Sequence, residues 1–216
     1  MNNEVELLSH FGNDEMIVNA ARVSFNKDSS MYTEEQNNKL INYLVEHKHT
    51  APFRHPQLQF RITCPIYVER QLFKHQVGLS ANSISGRYVD FSDSYSYISQ
   101  WRKQSKSSKQ GSEGLVDDQL KCHELEDSII QTCSFAYDQL IKLGVSKEQA
   151  RTVLPLSLNT TFIWTGSLLA FMHMWNLRLK PDTQQETREV AQQMLQLVKD
   201  IEGNPFEHTI KAFNLC

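Results

Sequence analysis

The stretch RQLFKHQVGLSANSISGRY, residues 70–88, is where the patterning of the chain breaks. Just before and inside its start, Ile66, Val68, Leu72 and Phe73 keep an apolar rhythm. From Gln76 onward the rhythm is lost, and Gly, Ser and Asn run on to Arg87. Such residues cannot build a core. They offer backbone N–H groups, hydroxyls and an amide to a polar ligand, and Lys74, His75 and Arg87 add positive charge. Gly78 and Gly86 allow the backbone to approach a ligand closely. The segment reads as a socket for an anion and a polar ring, most simply a nucleotide. An ordinary solvated loop has the same composition.

Outward from this break, the elements are set by caps and periods. Asn13 or Asp14 can cap a helix to about Val23, with Ile17, Val18 and Ala21 inward. Thr33 and Gln36 have capping-box spacing, which predicts a helix to about Glu46 with Leu40, Tyr43 and Leu44 buried. HKHTAPFRHP is a loop. Leu58, Phe60, Ile62 and Cys64 alternate with Gln59, Arg61 and Thr63, which predicts a half-buried strand that Pro65 ends. Residues 65–75 have helical spacing. Beyond Arg87, residues 89–98 look extended. Residues 101–114, WRKQSKSSKQGSEG, lack an apolar anchor and read as a mobile surface loop, a candidate lid. A long helix is expected over about 115–143, with Leu120, Leu125, Ile129, Ile130, Cys133, Phe135, Ala136 and Leu140 inward and Gly144 at C′. Ser146 with Gln149 caps a short helix. Residues 161–179 are apolar nearly all round and read as the most buried helix. Thr183 with Glu186 caps a last helix to about Ile201. The fold class is α+β: one domain over 1–216, with an antiparallel sheet on a helical layer.

The chain of 216 residues is 40% hydrophobic, enough for one core. Its net charge of −3 gives no general attraction to nucleic acid or to an anionic membrane, so neither is expected as a partner. Any anion site must be a local concentration of Arg and Lys. Cys64, Cys122, Cys133 and Cys216 form no CxxC pair and read as reduced thiols of a cytoplasmic protein. The first residues lack a signal-peptide core, and no apolar run reaches the ~20 residues of a membrane span.

Three arginines lie in or beside apolar segments, Arg22, Arg151 and Arg178, and together with Arg87 of the polar stretch they point to an anion site. A guanidinium among apolar neighbours needs an anion or a carbonyl. A structural ion pair, or for Arg178 the helix dipole, would also account for it. His49, His55, His75 and His173 are candidates for ligand contact. Their spacing does not predict a metal site. Hydrolase, P-loop and Rossmann motifs are missing.

AARVSF (20–25), HTAPFRH (49–55), PIYVERQLFKHQ (65–76), NSISGRY (82–88), ARTVLPLSL (150–158) and WTGSLLAFMHMWNLR (164–178) follow one another in this order. Together they resemble the flavin-dependent thymidylate synthases, over roughly residues 12–212. The resemblance implies a homotetramer with active sites at subunit interfaces, each using FAD, dUMP, 5,10-methylenetetrahydrofolate and NADPH. It implies that Arg178 is the catalytic residue that meets the uracil ring. It implies a dUMP shell of Arg70, Gln71, Ser83, Ser85, Gly86, Arg87, Arg151 and Arg178. It implies flavin contacts from His49, Lys74, His75, Gln76, Asn82, Ser83, Ser167 and His173, no metal, and a cytoplasmic location (that of the host if the source is viral). The sequence departs from the family pattern in four places. Lys-His-Gln stands for Arg-His-Arg, one residue is inserted before Ser85, Ser83 replaces a glutamate, and Ala51 replaces a threonine. These changes motivate two alternatives: a flavin- and folate-dependent hydroxymethylase or methylase of another pyrimidine nucleotide, and a non-catalytic nucleotide-binding protein.

Overall fold

A computed structural model describes residues 3–89, 94–106, 109 and 111–215. Its centre is a four-stranded antiparallel sheet of order β1-β2-β6-β3, made by Glu4–Phe11, Gln57–Pro65, Asn159–Ser167 and Leu79–Ser83. β2 is the alternating strand the sequence predicts. Leu58, Phe60, Ile62 and Cys64 are buried and Arg61 is exposed. Phe60 pairs with Trp164 and Ile62 with Phe162 across the β2–β6 ladder. Phe171 of α6 (Leu168–Arg178) packs edge-on against Phe60 at 5.2 Å and Trp164 at 5.4 Å. Rings in this geometry stabilise one another beyond their area alone.

The expected helix over 161–179 is corrected. Its first part is β6, and α6 begins only at Leu168. Thr160, Thr161, Phe162, Ile163, Trp164 and Thr165 are β-branched or aromatic, types that fit a pleated surface. Ser167 makes the switch, its Oγ accepting from the Ala170 N–H at 3.3 Å as the N-cap of α6. α6 itself is buried over most of its length.

The patternless part of the opening stretch also forms a strand. β3 lies at the sheet edge against β6. Gly166 makes this possible. A Cβ there would lie 2.5 Å from the Gly78 carbonyl oxygen and 2.4 Å from Leu79 Cδ2. β1 likewise carries no signal noted in the sequence, and it pairs with β2 through a bulge between Leu7 and Ser9.

The helices follow their caps unevenly. α1 (Asp14–Arg22) starts at Asn13 and α2 (Glu34–Glu46) at the Thr33–Gln36 capping box, as expected. Tyr43, however, is exposed, and Ile41 takes its place in the core. α3 spans Ile66–Leu72, shorter than expected. Arg102–Gln104 (β4) and Ser112–Leu115 (β5) pair as a hairpin within the segment read as a loop, of which residues 107, 108 and 110 lie outside the described residues. Of the segment expected to be extended, residues 90–93 lie outside them too, and Tyr95 bridges Leu158. Cys216 also lies outside; Cys64, Cys122 and Cys133 are free thiols.

α4 (Gln119–Lys142) is capped by Asp118, and Gly144 follows it with φ +84°. Its burial corrects the sequence reading. Ile130 and Tyr137 are buried, but Leu120, Leu125, Ile129 and Phe135 are exposed in the single chain. α5 (Lys147–Ala150) follows Ser146, without a side-chain cap bond. α7 (Gln185–Lys199) does not use the predicted Thr183–Glu186 cap. Thr183 donates to the Leu177 carbonyl at 3.0 Å, and buried Glu186 accepts from Arg102 of the hairpin at 2.6 Å. α8 (Glu207–Ala212) closes the chain, its first N–H groups held by Asp14. Among the described residues, no helix is long and apolar enough to cross a membrane.

Candidate active site

α3 divides the predicted site residues. In a helix, residues three or four apart share a face, while residues two apart do not. Ile66, Glu69 and Phe73 therefore lie on one face and Gln71 on another, while His75 follows in the chain beyond the end of α3.

On the second face stands Arg178, at the end of α6. Its Nε–H donates to His75 Nε2 at 3.0 Å, and Nη2 donates to the Gln71 carbonyl at 2.9 Å. Guanidinium can only donate, so His75 Nε2 must accept. The ring is then neutral, with its proton on Nδ1. Burial holds the His75 pKa below its ordinary value, and the charges of Arg178 and His173 act in the same direction. Burial also lowers the Arg178 pKa, from a value so high that the side chain stays charged. Gln71 is held by α7: its Oε1 accepts from Thr187 Oγ1 at 3.1 Å, and its amide donates to Gln184 Oε1. Of the five guanidinium N–H groups of Arg178, two are used, and three remain for a ligand.

On the first face is a cavity of about 380 Å³, lined among others by Ile66, Glu69, Phe73, Ser83, Gly86 and Arg151. Ser83 Oγ donates to Glu69 Oε1 at 2.7 Å. Arg87 Nε lies 3.6 Å from Glu148 Oε2, and Arg151 Nε donates to the Glu148 carbonyl at 3.4 Å. The two guanidinium groups thus meet at one residue. Arg87 and Glu148 are both half exposed, so the pair is weak and an anionic ligand can compete for it. Ser85 shapes the turn: its carbonyl accepts from the Tyr88 N–H at 3.0 Å and its Oγ from the Arg87 N–H at 3.3 Å.

Arg70, Lys74, Gln76 and Asn82 are exposed along the path from α3 into β3. Among the described residues, Arg70, Lys74 and Arg151 have no carboxylate in ion-pair range. His173 is exposed on α6, and its charge reaches His75. Ser167 has a use in the fold, as the cap of α6. His49 belongs to a third group, edge-on to Tyr43 at 5.9 Å. Arg22 stacks on Tyr32 at 3.4 Å and donates to Asn37 at 2.9 Å. Within one chain the structure therefore groups Arg87 with Arg151, and Arg178 with His75 and Gln71. Sequence reading missed Glu69, Gln184 and Thr187. Glu69 had a signal, since it shares helical spacing with Ile66 and Phe73. The other two come from α7 and had none.

Residues 6–202 match the family model described as thymidylate synthase complementing protein. A flavin-dependent thymidylate synthase of Thermus thermophilus is 39% identical over 196 residues, covering 91% of this chain and 71% of that protein. The one from Kosmotoga olearia is 38% identical over 197 residues, covering 90% and 84%. Among solved structures, the UMP/dUMP methylase PolB from Streptomyces cacaoi, bound with 5-Br dUMP, superposes with a TM-score of 0.88 at 27% identity, over 99% of this chain and 95% of that one.

Proposed function

Because the chain belongs to the thymidylate synthase complementing protein family, that of the flavin-dependent thymidylate synthases, we propose that it reductively methylates dUMP to dTMP, with methylenetetrahydrofolate as carbon donor, NADPH as reductant and FAD as cofactor. The match over residues 6–202 carries this reading, and Arg178 gives it a mechanism.

The residues present fit FAD. Among the described residues Lys74 has no carboxylate in ion-pair range, and Gln76, Asn82 and His173 are exposed side chains with N–H groups suited to an anionic group rich in acceptors. When bound, FAD supplies the redox chemistry, the passage of reducing equivalents from NADPH. The chain supplies binding, orientation and charge. Arg151 and Arg87, with backbone N–H groups of the turn around Gly86, take the 5′-phosphate of dUMP. Guanidinium suits this because it can donate to phosphate bidentately. Arg178, fixed by His75 and Gln71, donates to the uracil ring and favours negative charge at its N3 and O2. That charge makes C5 a nucleophile without a covalent bond from the protein. Cys64 packs against Glu69 and cannot play the nucleophile: burial and the Glu69 charge push its thiol up to about 12.

We further propose that the two residue groups, separated by α3 within one chain, complete one another across subunit interfaces of a homotetramer. The exposed apolar side chains of α4 supply a surface for that assembly. The location is read as cytoplasmic.

The test is to supply dUMP, methylenetetrahydrofolate, FAD and NADPH under low oxygen and look for dTMP. A folded protein that takes up no flavin and forms no dTMP refutes the proposal. A second reading, methylation of UMP, is favoured by the likeness to PolB. Mass spectrometry of the products from dUMP and UMP decides between them. It also separates a gain of CH₂ from a gain of CH₂O, the mark of hydroxymethylation.

A further inference from the structure

The cavity has charge of both signs on its walls. Arg151 is its cation and Glu69 its carboxylate. A bound phosphate is repelled by Glu69 and drawn to Arg151, so the two groups favour one orientation of a nucleoside monophosphate in the cavity. Glu69 must then face an uncharged part of the ligand.

A carboxylate only accepts hydrogen bonds, and its two oxygens have room for about four. Among the described residues, Glu69 has no cation within ion-pair range. Its side-chain partner is the Ser83 hydroxyl, at 2.7 Å on Oε1. Ser83 spends its one proton there, which fixes the carboxylate and leaves Oε2 for a ligand donor. A uridine monophosphate carries two kinds of donor, the ring N3–H and the sugar hydroxyls. The ring edge is the part that gathers negative charge beside Arg178, and a carboxylate there would oppose that charge. The sugar hydroxyl is the donor that remains.

We propose that Glu69, steadied by Ser83, accepts a hydrogen bond from the 3′-hydroxyl of the bound nucleotide. Glu69 thereby selects nucleoside 5′-monophosphates with a free 3′-hydroxyl. This rests on the reading that the cavity takes the nucleotide.

The experiment measures dissociation constants of dUMP and 2′,3′-dideoxy-UMP by titration calorimetry on the flavin-loaded full-length chain. Wild type should prefer dUMP by about tenfold, the scale of one hydrogen bond to a charged group. In Glu69→Ala the preference should fall to within about twofold. KM for dUMP should rise by about tenfold while kcat stays within about twofold. Glu69→Gln keeps the shape and an acceptor oxygen but not the charge, and should retain part of the preference; it serves if the alanine variant does not fold. An alanine variant, or in its place a glutamine variant, that keeps the full tenfold preference overturns the proposal. So does a wild type that binds both nucleotides equally. A folded, flavin-loaded wild type that binds neither overturns the nucleotide reading itself, a distinguishable result.

Discussion

Arg178→Lys keeps the positive charge of the second residue group and removes its geometry. Arg178 spans two acceptors at once, His75 Nε2 at 3.0 Å and the Gln71 carbonyl at 2.9 Å, from different nitrogens of a planar fork. A lysine ammonium is a point donor and cannot reach both while presenting a third N–H to a uracil ring. Hydrogen bonds involving a charged group contribute about 1.5–3 kcal/mol each. With one of the two anchors lost, we expect transition-state stabilisation to fall by about 2–3 kcal/mol. That corresponds to a loss in kcat/KM of roughly 30- to 150-fold, at about 1.36 kcal/mol per decade. Arg178→Ala removes the charge as well and should abolish turnover. Neither change should unfold the protein, because Arg178 is only partly buried and water can replace the lost contacts. The assay is dTMP formed per enzyme against dUMP concentration, with melting followed in parallel. A folded Arg178→Lys variant within threefold of wild type would refute the idea that the two-point anchoring of this arginine matters.

Three further outcomes follow from the geometry. Gly166→Ala places a Cβ 2.5 Å from the Gly78 carbonyl oxygen, so β3 must move from β6; we expect about 2–3 kcal/mol of lost stability by urea unfolding and weakened flavin uptake, and a neutral substitution counts against the strand placement. Ile129→Glu with Phe135→Glu puts charges on the exposed apolar face of α4; light scattering should show smaller assemblies with lower activity, and an unchanged mass would remove α4 from the interface. His75 has a depressed native pKa, so the unfolded chain binds its proton more readily. Its contribution to stability is therefore whole above about pH 6.5, the ordinary imidazole value, and is lost as the pH falls through the native value. His75→Gln should flatten that part of the stability-against-pH curve, and an unchanged slope would show that another group sets it.

What the sequence disclosed, and what it hid, divides along the range of the forces involved. The Asn13 cap and the Thr33–Gln36 box are bonds between residues three apart, so their letters suffice. The alternation of β2 is equally local. β6 defeated the same reasoning because it is a central strand that runs straight into a buried helix. Its Thr–Phe–Ile–Trp–Thr run merges with the Leu–Leu–Ala–Phe–Met run of α6, and only the Ser167 cap marks the border. β3 hid for the opposite reason. It has almost nothing to bury, and its place depends on a glycine in β6, more than eighty residues away. On α4 the apolar spacing was visible, but amphipathicity does not name the surface that covers it, and here the chain itself fully buries only Ile130 and Tyr137 and half-buries Cys133, Ala136 and Leu140. The site repeats this division. That guanidinium and imidazole groups gather near residues 70–88 follows from the letters and their family resemblance. Which of them meet is decided by the turn of α3, where Glu69 and Gln71, two positions apart, place a carboxylate in the cavity and an anchoring carbonyl under Arg178. A two-residue shift of that helix, roughly 200° of rotation at 3.6 residues per turn, would exchange the two environments, so the chemistry of the site depends on Pro65 ending β2 where it does.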